Sequence, residues 1–274
     1  MKQILTPTDF STGSEHALKY AATLATELNT GITSLWIDNS SSLDLHGEII
    51  VNEYKKDAKK NLNNQLDKIR KEFPGIEMQS AIRSGKVYKE IAQYAQSLEF
   101  DLIVLGTHGG SGFEDYWIGS NAYRIVSTAQ CPVISIRPNY SFSGKGISKI
   151  LTPIDHTPHT LDKLGLVIKF AKIFKAEIQI LTLYSTPLKT INRKADLATT
   201  SAFNLIKEEG ITVYQDSINT SNITADILDF INKSNIDLLA IMTENKASDV
   251  SSMIGQEAQQ LINQCTIPVL SIKE

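Results

Sequence analysis

The chain repeats itself at long range, and this repeat limits the folds that it can adopt. The segment Ile4–Asp9 (ILTPTD) returns at Ile150–Asp155 as ILTPID, an offset of 146 residues. Farther along, residues 101–105 (DLIVL) return at 237–241 as DLLAI, an offset of 136 residues. A period of about 140 residues is too long for a solenoid repeat and predicts a duplicated domain.

The repeat predicts domains at residues 1–138 and 147–274. The residues between them, with Pro138 before and Gly146 at the end, are rich in Gly, Ser and Pro, which is typical of a linker. The two offsets differ by ten residues. We expect that the second copy has lost them from the polar stretch 39–47, which follows the second predicted strand.

Apolar segments with strand and helix patterns alternate within each copy. In the first copy, Lys2 to Thr6 is a short apolar run that we expect to end at Pro7, and residues 102–105 are continuously apolar. Apolar residues at helical spacing predict helices between the strands, for example over 17–28 and 51–73. Continuously apolar strands joined by helices are typical of a parallel sheet covered on both faces. We therefore predict an α/β fold with two tandem, five-stranded, parallel, doubly wound domains.

Composition and charge exclude several classes of protein. The 27 Lys and Arg residues nearly balance the 30 Asp and Glu residues, so the chain lacks the basic excess of a nucleic-acid binder. No apolar run approaches the roughly 18–20 residues that span a membrane, and no signal-peptide core stands at the N-terminus. Cys131 and Cys265 provide no disulfide framework, and we expect them to be buried apolar groups. We expect a cytoplasmic protein that binds neither nucleic acid nor membrane.

Two loops carry the candidate site residues. Ligands of doubly wound sheets bind beyond the carboxyl ends of the strands, where the strand order reverses. The first loop follows strand one and contains residues 7–9, and the second follows strand four and is glycine-rich over 106–112. The second loop leads to Gly119-Ser120-Asn121 at the start of a helix. Glycines let the backbone approach an anion and a helix N-terminus offers free N–H groups, which predicts phosphate binding; an ordinary turn is the alternative.

The spacing Gly106-x2-Gly109-x9-Gly119-Ser120 resembles the ATP-binding signature of the universal stress protein family. The segment Ile4–Ser11 also resembles the first strand and loop of that family, and residues 131–133 its entry to the last strand. The resemblance covers the whole chain as a tandem pair, and only the first copy carries the full signature. It implies a Rossmann-like fold of the adenine nucleotide α-hydrolase type and a stress-response protein that binds ATP.

The resemblance implies a nucleotide-binding role for eleven residues. It places adenine against Pro7, Thr8 and the backbone near Trp36, and it makes Asp9 an anchor for the ribose or adenine. The family usually has a small aliphatic residue where Trp36 stands, so we expect this side chain to reshape the adenine slot. The eleven residues are Pro7, Thr8, Asp9, Trp36, Leu105, Gly106, His108, Gly109, Gly119, Ser120 and Asn121.

The resemblance also implies where the phosphates and a cation bind. Leu105, Gly106, His108 and Gly109 would line the ribose and triphosphate, and residues 119–121 would contact the phosphates. Mg²⁺ or Mn²⁺ bridging the phosphates is implied as well, and the lack of a P-loop lysine agrees with this. No residue is expected to be catalytic or to hold the metal directly.

The second copy lacks the signature, and its histidines have an ordinary explanation. At the offset of 136, the residues that replace Gly106, Gly109 and Ser120 are Met242, Asn245 and Gln256. We therefore expect one nucleotide site per chain. His156 and His159 stand beside Asp155, where a plain helix start is favoured over a metal site.

Three functions remain open at this point. The favoured one is an ATP-binding regulatory module with at most slow hydrolysis, because no nucleophile–base pair or paired carboxylates mark the loops. The alternatives are an ATP-hydrolysing enzyme and a sensor of another adenine nucleotide or phosphorylated ligand. The resemblance implies pairing through the last strands, which here are the apolar segments 133–136 and 269–272. Because an exposed apolar edge is an aggregation hazard, we expect the two domains to pair as a pseudo-dimer within one chain. Pairing of whole chains into a homodimer is left open.

Overall fold

The computed structural model describes residues 3–39, 48–107, 119–140, 146–243 and 254–273. The chain divides into two compact units, Met1–Phe142 and Ser143–Glu274. This division lies between the predicted domain ends at 138 and 147. Among the described residues, every helix is too short or too polar to cross a bilayer.

The first unit alternates strands and helices along its described residues. Its elements are β1 (Gln3–Thr8), α1 (Thr12–Leu28), β2 (Gly31–Asp38), α2 (Glu48–Glu72), β3 (Met78–Ser84), α3 (Val87–Ser97), β4 (Leu102–Gly106), α4 (Ser120–Thr128) and β5 (Val133–Ile136). All strand pairs are parallel, in the order β3-β2-β1-β4-β5. Helix α1 packs on α2, and α3 packs on α4. Because the strand order reverses between β1 and β4, right-handed crossovers place these two helix pairs on opposite faces.

The second unit repeats this arrangement. Its elements are β6 (Lys149–Ile154), α5 (Leu164–Phe174), β7 (Glu177–Tyr184), α6 (Lys189–Glu208), β8 (Val213–Asn219), α7 (Ile223–Lys233), β9 (Leu238–Thr243), α8 (Gln256–Gln264) and β10 (Val269–Lys273). Its parallel strands follow the order β8-β7-β6-β9-β10. The predicted α/β class, with two five-stranded parallel sheets, is confirmed.

The central strands are buried on both faces. Ile4 and Leu5 of β1 are fully buried, as are Leu102, Ile103 and Val104 of β4. This burial explains why the strands are continuously apolar in the sequence rather than alternating.

The aspartate of the repeated DLIVL and DLLAI segments fixes the start of each first strand. The Asp101 carboxylate accepts a hydrogen bond from the Gln3 backbone N–H at 3.3 Å. In the second unit, the Asp237 carboxylate accepts from the Lys149 N–H at 2.9 Å. The repeat therefore preserves a side-chain contact between the first and fourth strands of each unit.

The prediction that β1 ends at Pro7 is wrong, because the strand continues to Thr8. Strand β1 pairs with β4 only through Ile4 and Leu5, whereas it pairs with β2 as far as Thr8. Pro7 therefore lies past the last β1–β4 pair, at a place where a missing N–H is tolerated.

The ten-residue difference between the copies is shared between a connection and a helix. Nine residues separate β2 from α2, and four separate β7 from α6. Helix α2 has 25 residues, whereas α6 has 20. The expected loss from stretch 39–47 thus accounts for half of the difference, and a shorter helix accounts for the rest.

Candidate functional site

A cavity of about 770 Å³ opens at the carboxyl ends of β1, β2 and β4 in the first unit. It lies where the strand order reverses, which is the usual position for a ligand in a sheet of this kind. Residues from α2, α3 and the start of α4 complete its walls. Its volume lies within the range of about 300–1,000 Å³ that is typical of small-molecule sites.

The cavity brings together nine of the eleven residues that the sequence singled out. They are Pro7, Thr8, Asp9, Trp36, Leu105, Gly106, Gly119, Ser120 and Asn121. The other two, His108 and Gly109, lie outside the described residues. The role of these residues in binding a nucleotide stays a prediction.

The Asp9 side chain shapes the loop between β1 and α1. Its Oδ1 accepts hydrogen bonds from the Ser11 backbone N–H at 3.0 Å and from the Ser11 hydroxyl at 2.5 Å. Ser11 is in turn the N-cap of α1, where its hydroxyl oxygen accepts from the Ser14 N–H at 3.2 Å. The exposed Asp9 carboxylate is therefore held in place by the loop itself at the edge of the cavity.

The Thr8 hydroxyl supports the same loop from inside the protein. It accepts a hydrogen bond from the Phe10 backbone N–H at 3.1 Å and donates one to Gln65 Oε1 at 3.2 Å. The Thr8 residue is buried. Its hydroxyl therefore helps to fix the backbone at Phe10.

Phe10 is a site residue that sequence analysis missed. It lines the cavity with a φ of 64°, in the left-handed region that side chains other than glycine rarely adopt. Its ring stacks on that of Trp36, with centroids 6.1 Å apart and an angle of 25° between the planes. A positive φ at a phenylalanine has no signal in a single sequence, so only the structure could reveal this pair.

Gly106 is required where β4 approaches the start of α1. A Cβ atom at this position would lie 2.7 Å from the Gly13 carbonyl oxygen, a distance that real Cβ atoms do not reach. This glycine therefore permits close packing of a strand end on a helix, in addition to any approach of a ligand.

The N-terminus of α4 faces the cavity through Gly119, Ser120 and Asn121. The Gly119 N–H donates to the Thr107 carbonyl at 2.8 Å, which ties the start of the helix to the end of β4. Among the described residues, no side chain caps α4, and its first turn contains no acidic residue. Uncapped first-turn N–H groups and the helix dipole favour an anion at this end.

Helix α2 supplies a polar wall that sequence analysis also missed. Asp57 and Asn61 line the cavity and are four residues apart, a spacing that places both side chains on one face of the helix. Together with Asp9, they give the described lining two carboxylates and neither a lysine nor an arginine. The sequence of residues 108–118 likewise contains no lysine and no arginine. A polyanionic ligand would therefore meet net negative charge at this site.

The loop after β6 in the second unit has an aspartate at the position of Asp9, but the helix that follows it begins later than α1 does. The Asp155 carboxylate accepts from the Thr157 N–H at 2.9 Å and from the Thr157 hydroxyl at 2.6 Å, as Asp9 does from Ser11. Helix α5, however, begins at Leu164, which is six residues later than α1 at the offset of 146. The predicted helix start at residues 156–159 is wrong, because this segment forms a bend followed by a turn. Within it, His159 Nδ1 lies 2.9 Å from an Asp162 carboxylate oxygen.

Lys163 is buried just before α5. Its Nζ donates to the Thr160 carbonyl at 2.6 Å, and the residue is 4% exposed. Burial lowers the pKa of Lys163 to about 8, against the opposing effect of the Asp155 and Asp162 carboxylates. At the offset of 146 this position corresponds to Ala17, which is fully buried in α1.

The two cysteines are free thiols. Burial raises the pKa of the Cys131 thiol to about 11, so this group is protonated at neutral pH. Cys265 is buried in the core of the second unit. The expectation of a buried group is therefore confirmed for Cys265, whereas Cys131 is only half-buried.

Comparison with known proteins identifies the family. The family model described as the universal stress protein family matches residues 1–137, which is half of the chain. The chain belongs to the universal stress protein family. Family membership confirms the resemblance drawn from the loop spacing, and the matched residues are those of the unit that contains the cavity.

Individual members of the universal stress protein family are similar to this chain in sequence or in structure. One from Methanocaldococcus jannaschii is 30% identical over 140 residues, which cover 50% of this chain and 82% of that protein. The universal stress protein YxiE of Bacillus subtilis is 27% identical over 147 residues, covering 49% of this chain and 98% of that protein. The crystal structure of a universal stress protein from Archaeoglobus fulgidus aligns over 99% of this chain and 96% of its own, with a TM-score of 0.79 and 21% identity. This last similarity supports the fold.

Proposed function

We propose that the first unit binds ATP together with Mg²⁺ or Mn²⁺ and acts as a regulatory module in a stress response. The observation that carries the proposal is the convergence of the described signature residues, Gly106, Gly119 and Ser120, on one cavity, beside the uncapped N-terminus of α4. The cavity joins an apolar wall, which includes Pro7 and Trp36, to a polar end at residues 119–121. A nucleotide has the same division, with a flat aromatic base at one end and charged phosphates at the other.

The charge of the cavity supports binding of the nucleotide as a metal complex. Repulsion between a phosphate and a carboxylate at about 4 Å costs on the order of 1–4 kcal/mol before screening by salt. Asp9, Asp57 and Asn61 supply oxygen atoms, which are the ligands that Mg²⁺ prefers. When bound, the cation would neutralise the phosphates. We therefore expect ATP binding to weaken strongly when divalent cations are chelated.

A regulatory role fits the described lining better than a dedicated hydrolase. Activation of water or of a nucleophile requires a base within hydrogen-bond reach of it. The described lining holds no histidine, and of its two carboxylates that of Asp9 is engaged by Ser11 through Oδ1, whereas that of Asp57 would be occupied by the proposed cation. Phosphate release measured with saturating ATP separates the two functions. We expect turnover well below about 1 per second, and a rate in the usual enzyme range would favour a hydrolase.

Ser120→Asp tests the site without weakening the helix that forms it. An aspartate in the first turn of α4 favours the helix by about 0.3–1 kcal/mol, yet it places a negative charge beside the proposed phosphates. We expect at least about a tenfold loss of ATP affinity by isothermal titration calorimetry, at an unchanged or higher melting temperature. Gln256→Asp, at the same position of α8, is the matched control and should bind ATP as the unaltered chain does.

Two results would contradict this proposal. One is an unaltered chain that binds none of ATP, ADP and AMP in the presence of Mg²⁺. The other is a Ser120→Asp variant whose affinity for ATP is unchanged, which would show that the phosphates do not bind at the N-terminus of α4. A chain that binds AMP more tightly than ATP would favour a sensor of another adenine nucleotide. Pairing of the two units, pairing of whole chains and a cytoplasmic location stay predictions from the sequence.

A further inference from the structure

An aromatic pair forms part of the wall of the cavity. Phe10 follows β1 and Trp36 lies near the end of β2, and both are half-buried residues that line the cavity. Their ring centroids are 6.1 Å apart and their planes differ by 25°. Trp36 is in register with Thr8 across the β1–β2 ladder, so the loop that carries Phe10 leaves the sheet beside it.

The loop holds Phe10 in a conformation that a phenylalanine seldom adopts. Its φ of 64° crowds the Cβ atom against the backbone, and such a residue persists only where its surroundings impose it. Here the Thr8 hydroxyl accepts from the Phe10 N–H at 3.1 Å, and the contacts between Asp9 and Ser11 close the next turn. The strained backbone thus brings the phenyl ring against Trp36 at the cavity.

The geometry of the pair limits how a planar ligand can bind. A centroid distance of 6.1 Å is already a contact distance for two rings, so a third ring does not fit between them. Because both residues line the cavity, a bound ring would have to stack on an outer face of the pair. Stacking on aromatic side chains contributes to binding of every nucleobase, because every base has a π-face.

We propose that Phe10 and Trp36 form a stacking platform for the nucleobase, and that this platform makes the site prefer purine over pyrimidine nucleotides. The preference follows from area, since the two fused rings of a purine cover more of the platform than a single pyrimidine ring. The proposal rests on the proposed nucleotide function and adds a specificity determinant to it.

Calorimetry of the full chain with ATP, GTP, CTP and UTP, each with Mg²⁺, tests the platform. The unaltered chain should bind the two purine nucleotides at least about fivefold more tightly than the two pyrimidine nucleotides. Trp36→Leu should lower ATP affinity by about tenfold or more and remove the preference. Trp36→Phe, which keeps an aromatic ring, should restore most of the affinity and the preference.

Further variants separate stacking from a general loss of structure. Phe10→Gly removes the second ring while tolerating the positive φ, so it should cause the same loss as Trp36→Leu. Tyr94→Leu is the matched control, because Tyr94 forms a similar pair with Phe100 at 5.8 Å and does not line the cavity. Inorganic tripolyphosphate with Mg²⁺, a probe without a base, should bind equally to the Trp36→Leu variant and the unaltered chain.

The outcomes distinguish failure of the platform from failure of the site. An unaltered chain that binds no nucleotide overturns the proposed function and the platform together. If it binds ATP and Trp36→Leu binds ATP equally well, the platform alone is overturned. An equal loss of tripolyphosphate binding in Trp36→Leu, or an equal affinity for all four nucleotides, also overturns it.

Discussion

At the scale of single residues, Lys163 and Ala17 occupy equivalent positions of the two units but lie in different local structures. Ala17 packs inside α1 without any polar group to satisfy. Lys163 is also buried, but it precedes α5 and bonds the Thr160 carbonyl through Nζ. A buried ammonium group is costly, and the lowered pKa of Lys163 reports that cost.

The lowered pKa predicts that Lys163 makes stability depend on pH. The folded chain releases this proton near pH 8, whereas the unfolded chain holds it up to the ordinary value of 10.5. The unfolded state therefore binds more protons between these values, so the free energy of unfolding rises with pH there. Below pH 8 the full penalty is present, on the order of 3 kcal/mol. We expect Lys163→Met to stabilise the chain relative to the unaltered protein at pH 7 and to lose most of that advantage by pH 10.

Urea unfolding of both proteins at pH 7 and pH 10 measures this difference. Lys169→Met, at an exposed lysine of α5, is the matched control and should give a difference that is small at both pH values. An advantage of Lys163→Met that is equal at the two pH values would show that the ammonium group is not the cause.

At the scale of elements, the contact of β4 with α1 depends on one missing side chain. Gly106→Ala would place a Cβ atom 2.7 Å from the Gly13 carbonyl, so the strand and the helix must separate. We expect a loss of about 1–3 kcal/mol in the free energy of unfolding, measured by urea titration. Because the start of α1 also borders the cavity, ATP affinity should fall in the same variant.

Gly165→Ala provides the opposite case for comparison. Nothing lies within 4 Å of a Cβ atom at Gly165, which is inside α5. Because Gly165 is the second residue of α5 and not in its middle, alanine should stabilise the helix by at most about 0.5–1 kcal/mol. A Gly106→Ala variant as stable as the unaltered chain would contradict the close contact of β4 with α1.

Elements were predictable from the sequence where burial leaves a regular pattern. The strands are continuously apolar because helices cover both faces, so the predicted β5 agrees with the observed Val133–Ile136. The late start of α5 was missed, since the ILTPID segment resembles its counterpart although the helix that follows is shorter. Loop glycines and Asp9 pointed to the cavity, whereas the φ of Phe10 and the inward face of α2 depend on tertiary contacts that no local pattern encodes.

At the scale of the whole molecule, two units of the same fold differ at the position of the proposed site. The first joins Gly106, a helix that begins at Thr12 and an uncapped α4 at one cavity. The second has Met242 at the position of Gly106 and a helix that begins only at Leu164. The two units therefore share a fold, but only the first contains the signature residues.

This difference predicts one nucleotide per chain. Met242 adds a side chain where the backbone would have to approach phosphate, and Gln256 replaces the Ser120 hydroxyl. We expect calorimetric titration of the full chain with ATP and Mg²⁺ to give a stoichiometry near one. A stoichiometry near two would contradict the assignment of the site to the first unit. The same holds if the Ser120→Asp variant still binds one ATP per chain with unchanged affinity.

The shortened start of α5 also bears on the history of the chain. Returning Met242 to glycine would remove a side chain but would leave the helix beginning at Leu164. Lengthening the helix would in turn enclose the Thr160 carbonyl that now receives the Lys163 ammonium group. Several coordinated substitutions would be needed before selection for nucleotide binding could act on the second copy. Creation of a nucleotide site in the second unit is therefore beyond the reach of a single mutation.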